Sequence, residues 1–138
     1  MKRILLGALL GLVTAARVAG AGEDHAHHHG LLEVGGPGPA PAVALTATPD
    51  PMGGWNVHVR TQHFRFAPER VNQAHRPGEG HAHLYVDGQK VARLYAPWYH
   101  LGALPAGKHR LSVTLNANSH EELAVGGRKL EAAVDLGP

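Results

Sequence analysis

The run His81-Ala82-His83-Leu84-Tyr85-Val86, followed by Asp87-Gly88 and then by Val91-Ala92-Arg93-Leu94-Tyr95, decides the fold. Two alternating runs flank a dipeptide whose backbone readily takes the positive φ of a type I′ turn, and such a turn suits the twist of paired antiparallel strands. The segment predicts a β-hairpin. Outward from it, Trp55-Asn56-Val57-His58-Val59-Arg60 places Trp55, Val57 and Val59 on one face and Asn56, His58 and Arg60 on the other. Gln62-His63-Phe64-Arg65-Phe66 repeats the alternation with Phe64 and Phe66 inward, and His109-Arg110-Leu111-Ser112-Val113-Thr114-Leu115 carries an apolar face of Leu111, Val113 and Leu115. Residues 42–48 read as a first strand closed by Pro49-Asp50-Pro51, Leu104-Pro105-Ala106-Gly107 as a turn, and residues 130–134 as a closing strand. Residues 68–80 form a long connection that contains His75. The only helix candidate is one turn at Ser119-His120-Glu121-Glu122-Leu123, with Ser119 as cap. Six to seven short strands with frequent turn signals predict an all-β chain, an antiparallel β-sandwich of Ig-like or cupredoxin-like type.

Composition agrees with that class. The chain has 138 residues, 43% hydrophobic, 5% aromatic and 17% charged, with 18 Gly, 10 Pro and no Cys. This length suits a single core, and absent cysteine excludes disulfide scaffolds and thiolate metal sites. Lys2 and Arg3, an apolar stretch over 4–16 and Ala19-Gly20-Ala21 read as a secretory signal peptide over 1–21. The apolar stretch is too short to span a bilayer, so no membrane span is expected after processing near Ala21. Removing 1–21 takes away Lys2, Arg3 and Arg17 and no acidic group, leaving 10 Lys and Arg against 11 Asp and Glu, a formal charge of −1. A nucleic-acid role loses its electrostatic basis. Residues 22–41, first His-rich and then rich in Gly and Pro, read as a flexible leader to a domain over 42–138.

The compositional anomaly is histidine, 12 residues against an expected usage of roughly 2%. Side chains two apart on a strand point the same way, so His81 and His83 form a bidentate half-site for one ion, or else two histidines on a solvated face. Borderline cations take three or four neutral imidazoles, which His81, His83 and His120 with His75 or His100 would supply. For His58, His63 and His109 the expected state is a solvent-exposed strand residue, and for His100 a hydrogen-bonded, semi-buried one competes with ligation. No Cys, and Met52 alone after processing, disfavour Cu(I), so copper(II) is expected ahead of zinc. A second cluster, His25, His27, His28 and His29, lies in the leader and would collect ions loosely.

The stretch from Gly78 to Gly88, with Trp98-Tyr99-His100-Leu101, Leu104-Pro105-Ala106-Gly107 and Leu115-Asn116-Ala117-Asn118-Ser119-His120, resembles a group of small, uncharacterised secreted bacterial proteins over residues 52–134. The resemblance implies an Ig-like or cupredoxin-like sandwich that binds metal through histidine, and it favours His81, His83 and His120, then His75 and His100. Blue-copper electron transfer is excluded by the missing Cys ligand. The histidine ladder, aspartate and disulfide expected of copper/zinc superoxide dismutases are not matched either. Three functions follow, the least favoured being a superoxide-dismutase-like metalloenzyme with an open coordination position. The first is a secreted or periplasmic protein that sequesters copper or zinc or delivers it to a periplasmic acceptor. The second is an Ig-like module binding an envelope partner or glycan through Tyr85, Tyr95, Trp98 and Tyr99. No nucleophile motif or obvious general base marks an enzyme.

Overall fold

The computed structural model describes residues 30–137, so the signal peptide expected over 1–21 and the histidines at 25, 27, 28 and 29 lie outside the described residues. In chain order the strands are β1 (Leu31–Glu33), β2 (Ala42–Pro49), β3 (Trp55–Gln62), β4 (Arg65–Phe66), β5 (Glu79–Val86), β6 (Gln89–Leu94), β7 (Trp98–Leu101), β8 (His109–Asn116), β9 (Glu122–Val125), β10 (Arg128–Lys129) and β11 (Glu131–Leu136). The eleven exceed the expected six to seven because the short strands β1, β7, β9 and β10, of two to four residues, fall outside the stretches read as strands. One short 3-10 turn, Pro68–Arg70, completes the elements among the described residues.

Two sheets result. The larger runs β1-β9-β8-β5-β4, with β10 beside β9, β11 beside β8 and β6 beside β5; the smaller is β2-β3-β7. The smaller sheet is antiparallel, as expected. The larger is mixed, which corrects the expectation of purely antiparallel pairing: β1 lies parallel to β9 and β4 parallel to β5. Hairpins join only antiparallel neighbours, whereas the connection over 67–78 is long enough to return the chain to β5 in the direction of β4.

The deciding hairpin forms as its sequence predicts. Asp87 and Gly88 have φ of 51° and 81°, the two positive values a type I′ turn needs, and β5 pairs with β6 across it. Val57, Val59, Leu45 and Leu101 of the smaller sheet meet Leu84, Leu94, Leu111, Val113, Leu115, Leu123 and Leu136 of the larger in one apolar core. Full burial of each large aliphatic side chain stabilises the fold by about 1.5–3 kcal/mol.

Three local expectations change. Within Gln62-His63-Phe64-Arg65-Phe66 only Arg65 and Phe66 form a strand, because the chain bends at His63 (φ 51°), although Phe64 is buried as expected. No helix forms at Ser119-His120-Glu121-Glu122-Leu123. His120 has φ of 86°, outside the right-handed helical region, and β9 starts at Glu122. Finally, within the stretch read as a leader, Leu31–Glu33 pairs with β9. The Glu33 carboxylate holds it there, accepting backbone N–H groups of Gly126 (2.8 Å) and Gly127 (2.9 Å). Among the described residues no helix is long and apolar enough to cross a membrane.

Candidate metal centre

Alternation along β5 turns Ala82 and Leu84 into the core and sends His81 and His83 to the opposite face of the larger sheet. Period-two polar residues usually meet water there. These two do not: both are 0% exposed. Directly across on β8, Asn116 faces His81 and Thr114 faces His83, and both are buried as well. With Asn118 these make up the five buried polar residues found among the described residues, gathered in one layer behind the apolar core. Burial of so many polar groups is stable only where they satisfy one another.

Their hydrogen bonds fix tautomers. Asn118 Nδ2 donates to the Ala67 carbonyl (3.0 Å), which orients the amide and turns Oδ1 toward His81 Nδ1 at 3.3 Å. His81 therefore carries its proton on Nδ1, and in the neutral ring Nε2 holds the lone pair. That Nε2 lies 3.0 Å from His83 Nε2, whose N–H donates to it, while the Tyr85 hydroxyl approaches His83 Nδ1 at 3.5 Å. Tyr95 closes over His81, with ring centroids 5.5 Å apart.

His120 adjoins the pair. Its ring centroid is 5.4 Å from that of His81, and its Nε2–H donates to Asn72 Oδ1 at 2.6 Å, leaving Nδ1 as the lone-pair nitrogen. His75 lies near Glu121, and its Nδ1 is buried without a hydrogen-bond partner among the described residues. The Ser119 hydroxyl donates to Glu121, and this bond, with Glu121's own backbone N–H, holds the carboxyl below its ordinary value of 4.5; His75 and His120 add to the effect. A carboxylate thus sits at the edge of the cluster.

His100 is not brought in. It stands on β7 of the smaller sheet, more than half exposed, with Nδ1 3.5 Å from Asp50 Oδ2 and 3.5 Å from Asn56 Oδ1. His58 stacks on Trp98 in that same sheet, ring centroids 4.0 Å apart, and His109 bonds Asp87 at 2.7 Å. Among the described residues no three His, Asp or Glu side chains converge on one ion position, so the histidines that meet amount to a bidentate pair with His120 beside it.

The pair nevertheless has the dimensions of two ligands. Ring nitrogens about 2.0–2.1 Å from one ion, at an angle of about 90–110°, lie about 2.8–3.4 Å apart, and 3.0 Å falls inside that range. The anchored Nδ1–H of His81 is the arrangement by which a histidine ligand is held in orientation. Sequence reasoning gave no role to Asn118, Asn116 and Asn72, and it took Tyr95 as a partner- or glycan-binding residue rather than a neighbour of His81. Their signal was the continuation of the polar alternation of β8 through Thr114, Asn116 and Asn118, an unusual place for two asparagines. The chain matches no protein-family model, no curated protein and no solved structure.

Proposed function

We propose that this chain is a secreted or periplasmic metal-binding protein that holds Cu(II), or less favourably Zn(II), on His81 and His83 for sequestration or delivery to an acceptor protein. The observation that carries the reading is the fixed tautomer of His81. Asn118 and Ala67 oblige Nδ1 to keep the proton, so the Nε2 lone pair is directed at the one place where a second imidazole nitrogen waits 3.0 Å away. An ion there takes the place of the proton shared by the two rings, and His83 then carries its proton on Nδ1, facing the Tyr85 hydroxyl. Imidazole ligation without thiolate or thioether favours copper(II) and zinc over softer and harder ions. The single core shared by both sheets supports a β-sandwich of the Ig-like or cupredoxin-like kind as the scaffold.

Calorimetric titration with Cu(II) and Zn(II) tests the reading. The expected result is one ion per chain with Kd below about 1 µM, equivalent to about 8 kcal/mol. The double variant His81→Gln, His83→Gln loses that complex, and His100→Ala keeps it. Unchanged binding in the double variant, with a circular dichroism spectrum like the wild type, disproves the reading.

One observation favours a second reading, an Ig-like module for an envelope partner or glycan. Trp98 is 63% exposed on the outer side of the smaller sheet, stacked on His58. An exposed indole of that kind suits stacking on a sugar ring. Loss of partner or glycan binding in Trp98→Ala, with metal affinity intact, would support it.

A further inference from the structure

Of the five buried polar side chains behind the apolar core, Asn116 alone ends in a donor that nothing among the described residues accepts. It is 0% exposed, stands directly across from His81 and shares the face on which both histidines lie. Its Oδ1 accepts the Thr114 hydroxyl at 2.9 Å, which fixes the amide and leaves the Nδ2–H groups to find an acceptor elsewhere. A buried donor in that state costs about 1–3 kcal/mol, so such a group points to something that accepts from it.

The same face has a charge to balance. An ion on His81 and His83 brings two positive charges against two neutral imidazoles, and among the described residues no Asp or Glu joins them at one ion position. Glu121, at the edge of the cluster, is bonded to Ser119. A buried charge without a counter-charge costs several kcal/mol. Two nitrogens also fall short of the four positions that copper(II) and zinc fill, which leaves room on the ion for a further donor. An anion meets all of these demands together: it offsets the charge, fills a coordination position and accepts from Nδ2. Its size is limited, because His81, His83 and Asn116 are 0% exposed and Thr114 and Asn118 only 3%.

We infer that His81, His83 and Asn116 form a joint site for a metal ion and one small anion, a hydroxide or halide that sits on the metal and accepts a hydrogen bond from Asn116 Nδ2. This inference rests on the proposed binding at the histidine pair and adds the class of its co-ligand. Hydroxide arises when water on the ion releases one proton to solvent, and halide comes from solution. Asn116 is then the anion-binding residue, and the amide that Thr114 orients sets which co-ligand the ion carries.

The test uses the full chain loaded with one Cu(II) and titrated with azide, followed by azide-to-copper charge-transfer absorption. The wild type is expected to bind one azide per ion. Asn116→Asp keeps an acceptor for Thr114 but removes the donor, and Asn116→Leu removes the amide while filling its place. Each variant should keep the wild-type imidazole count, read by X-ray absorption, and bind azide about 10–100-fold more weakly. Competition by chloride at fixed pH marks halide as the resident anion, and competition by raised pH alone marks hydroxide; either result supports the inference. Equal azide affinity in the wild type and a folded variant, or a wild-type copper complex that takes no azide, overturns it and leaves the binding at the pair standing. A His81→Gln, His83→Gln variant that keeps copper and azide at wild-type strength overturns the inference and the proposed binding together.

Discussion

Asn118 decides what His81 can do. Its amide is held at both ends, by Ala67 and by His81, and in that position it selects the tautomer whose lone pair lies on Nε2, facing His83. Asn118→Ala is expected to remove the acceptor that faces His81 Nδ1–H and one of the two donors to the Ala67 carbonyl, which keeps the Arg70 N–H, and to destabilise the metal-free protein by about 1–3 kcal/mol, read by chemical denaturation. Copper affinity should fall about 10–100-fold, as it does when the partner of a ligand histidine is removed. Asn118→Asp keeps an acceptor for His81 Nδ1–H and should restore most of that affinity, an outcome that filling a cavity would not produce. The spacing of His81 and His83 made their common direction legible in the sequence. Their burial was not, since it depends on Asn118, 37 residues from His81, and on the connection over 67–78 packed behind it.

Among the elements, the tightest constraint is the meeting of β5 and β8 beside the pair. A Cβ on Gly80 would lie 2.0 Å from the Asn116 carbonyl oxygen and 3.1 Å from the Phe64 ring, so no side chain fits without parting the two strands. Gly80→Ala is expected to cost roughly 3 kcal/mol, seen as a lower denaturation midpoint, and to weaken copper binding by shifting His81. The hairpin at Asp87-Gly88 and the core faces of β3 and β8 were legible because local chemistry and side-chain alternation determine them. β1 was hidden, because Leu31–Glu33 lies in a stretch poor in large apolar groups and is secured by a carboxylate that bonds to glycines more than ninety residues away. The turn at Ser119-His120 was misleading for a related reason. A capping serine suggested a helix, yet Ser119 bonds the Glu121 carboxylate and His120 takes a left-handed φ.

Across the whole molecule, one ion pair ties the tip of the β5–β6 hairpin to the start of β8. His109 donates from Nδ1 to Asp87 (2.7 Å) and from Nε2 to the Pro105 carbonyl (2.8 Å), an arrangement that suits the imidazolium. The Asp87 contact first, and the Pro105 carbonyl second, raise the His109 pKa above its ordinary 6.5. A raised histidine pKa contributes stability fully below the unfolded value and loses it as pH rises through the folded value. Between pH 6 and 9 the wild type should therefore lose more thermal stability than His109→Gln, measured by melting temperature at each pH. Equal losses would show that the contact carries no linkage. The all-β class was legible at this scale, and strand topology was not: the parallel pairs β1–β9 and β4–β5 leave no periodic trace, since each strand reads the same whichever way its neighbour runs.

The division into two sheets also separates the two tryptophans from two of the three tyrosines, Tyr99 on β7 staying with the tryptophans. Both tryptophans, Trp55 in β3 and Trp98 in β7, belong to the smaller sheet, whereas Tyr85 and Tyr95 stand beside the buried histidines of the larger. Indole emission therefore reports from the smaller sheet and, through Trp55, from the core beneath it, whereas far-UV circular dichroism follows mainly the larger. The two signals form an internal pair of probes. Whether they change together on heating tells whether the shared core joins the sheets into a single cooperative unit.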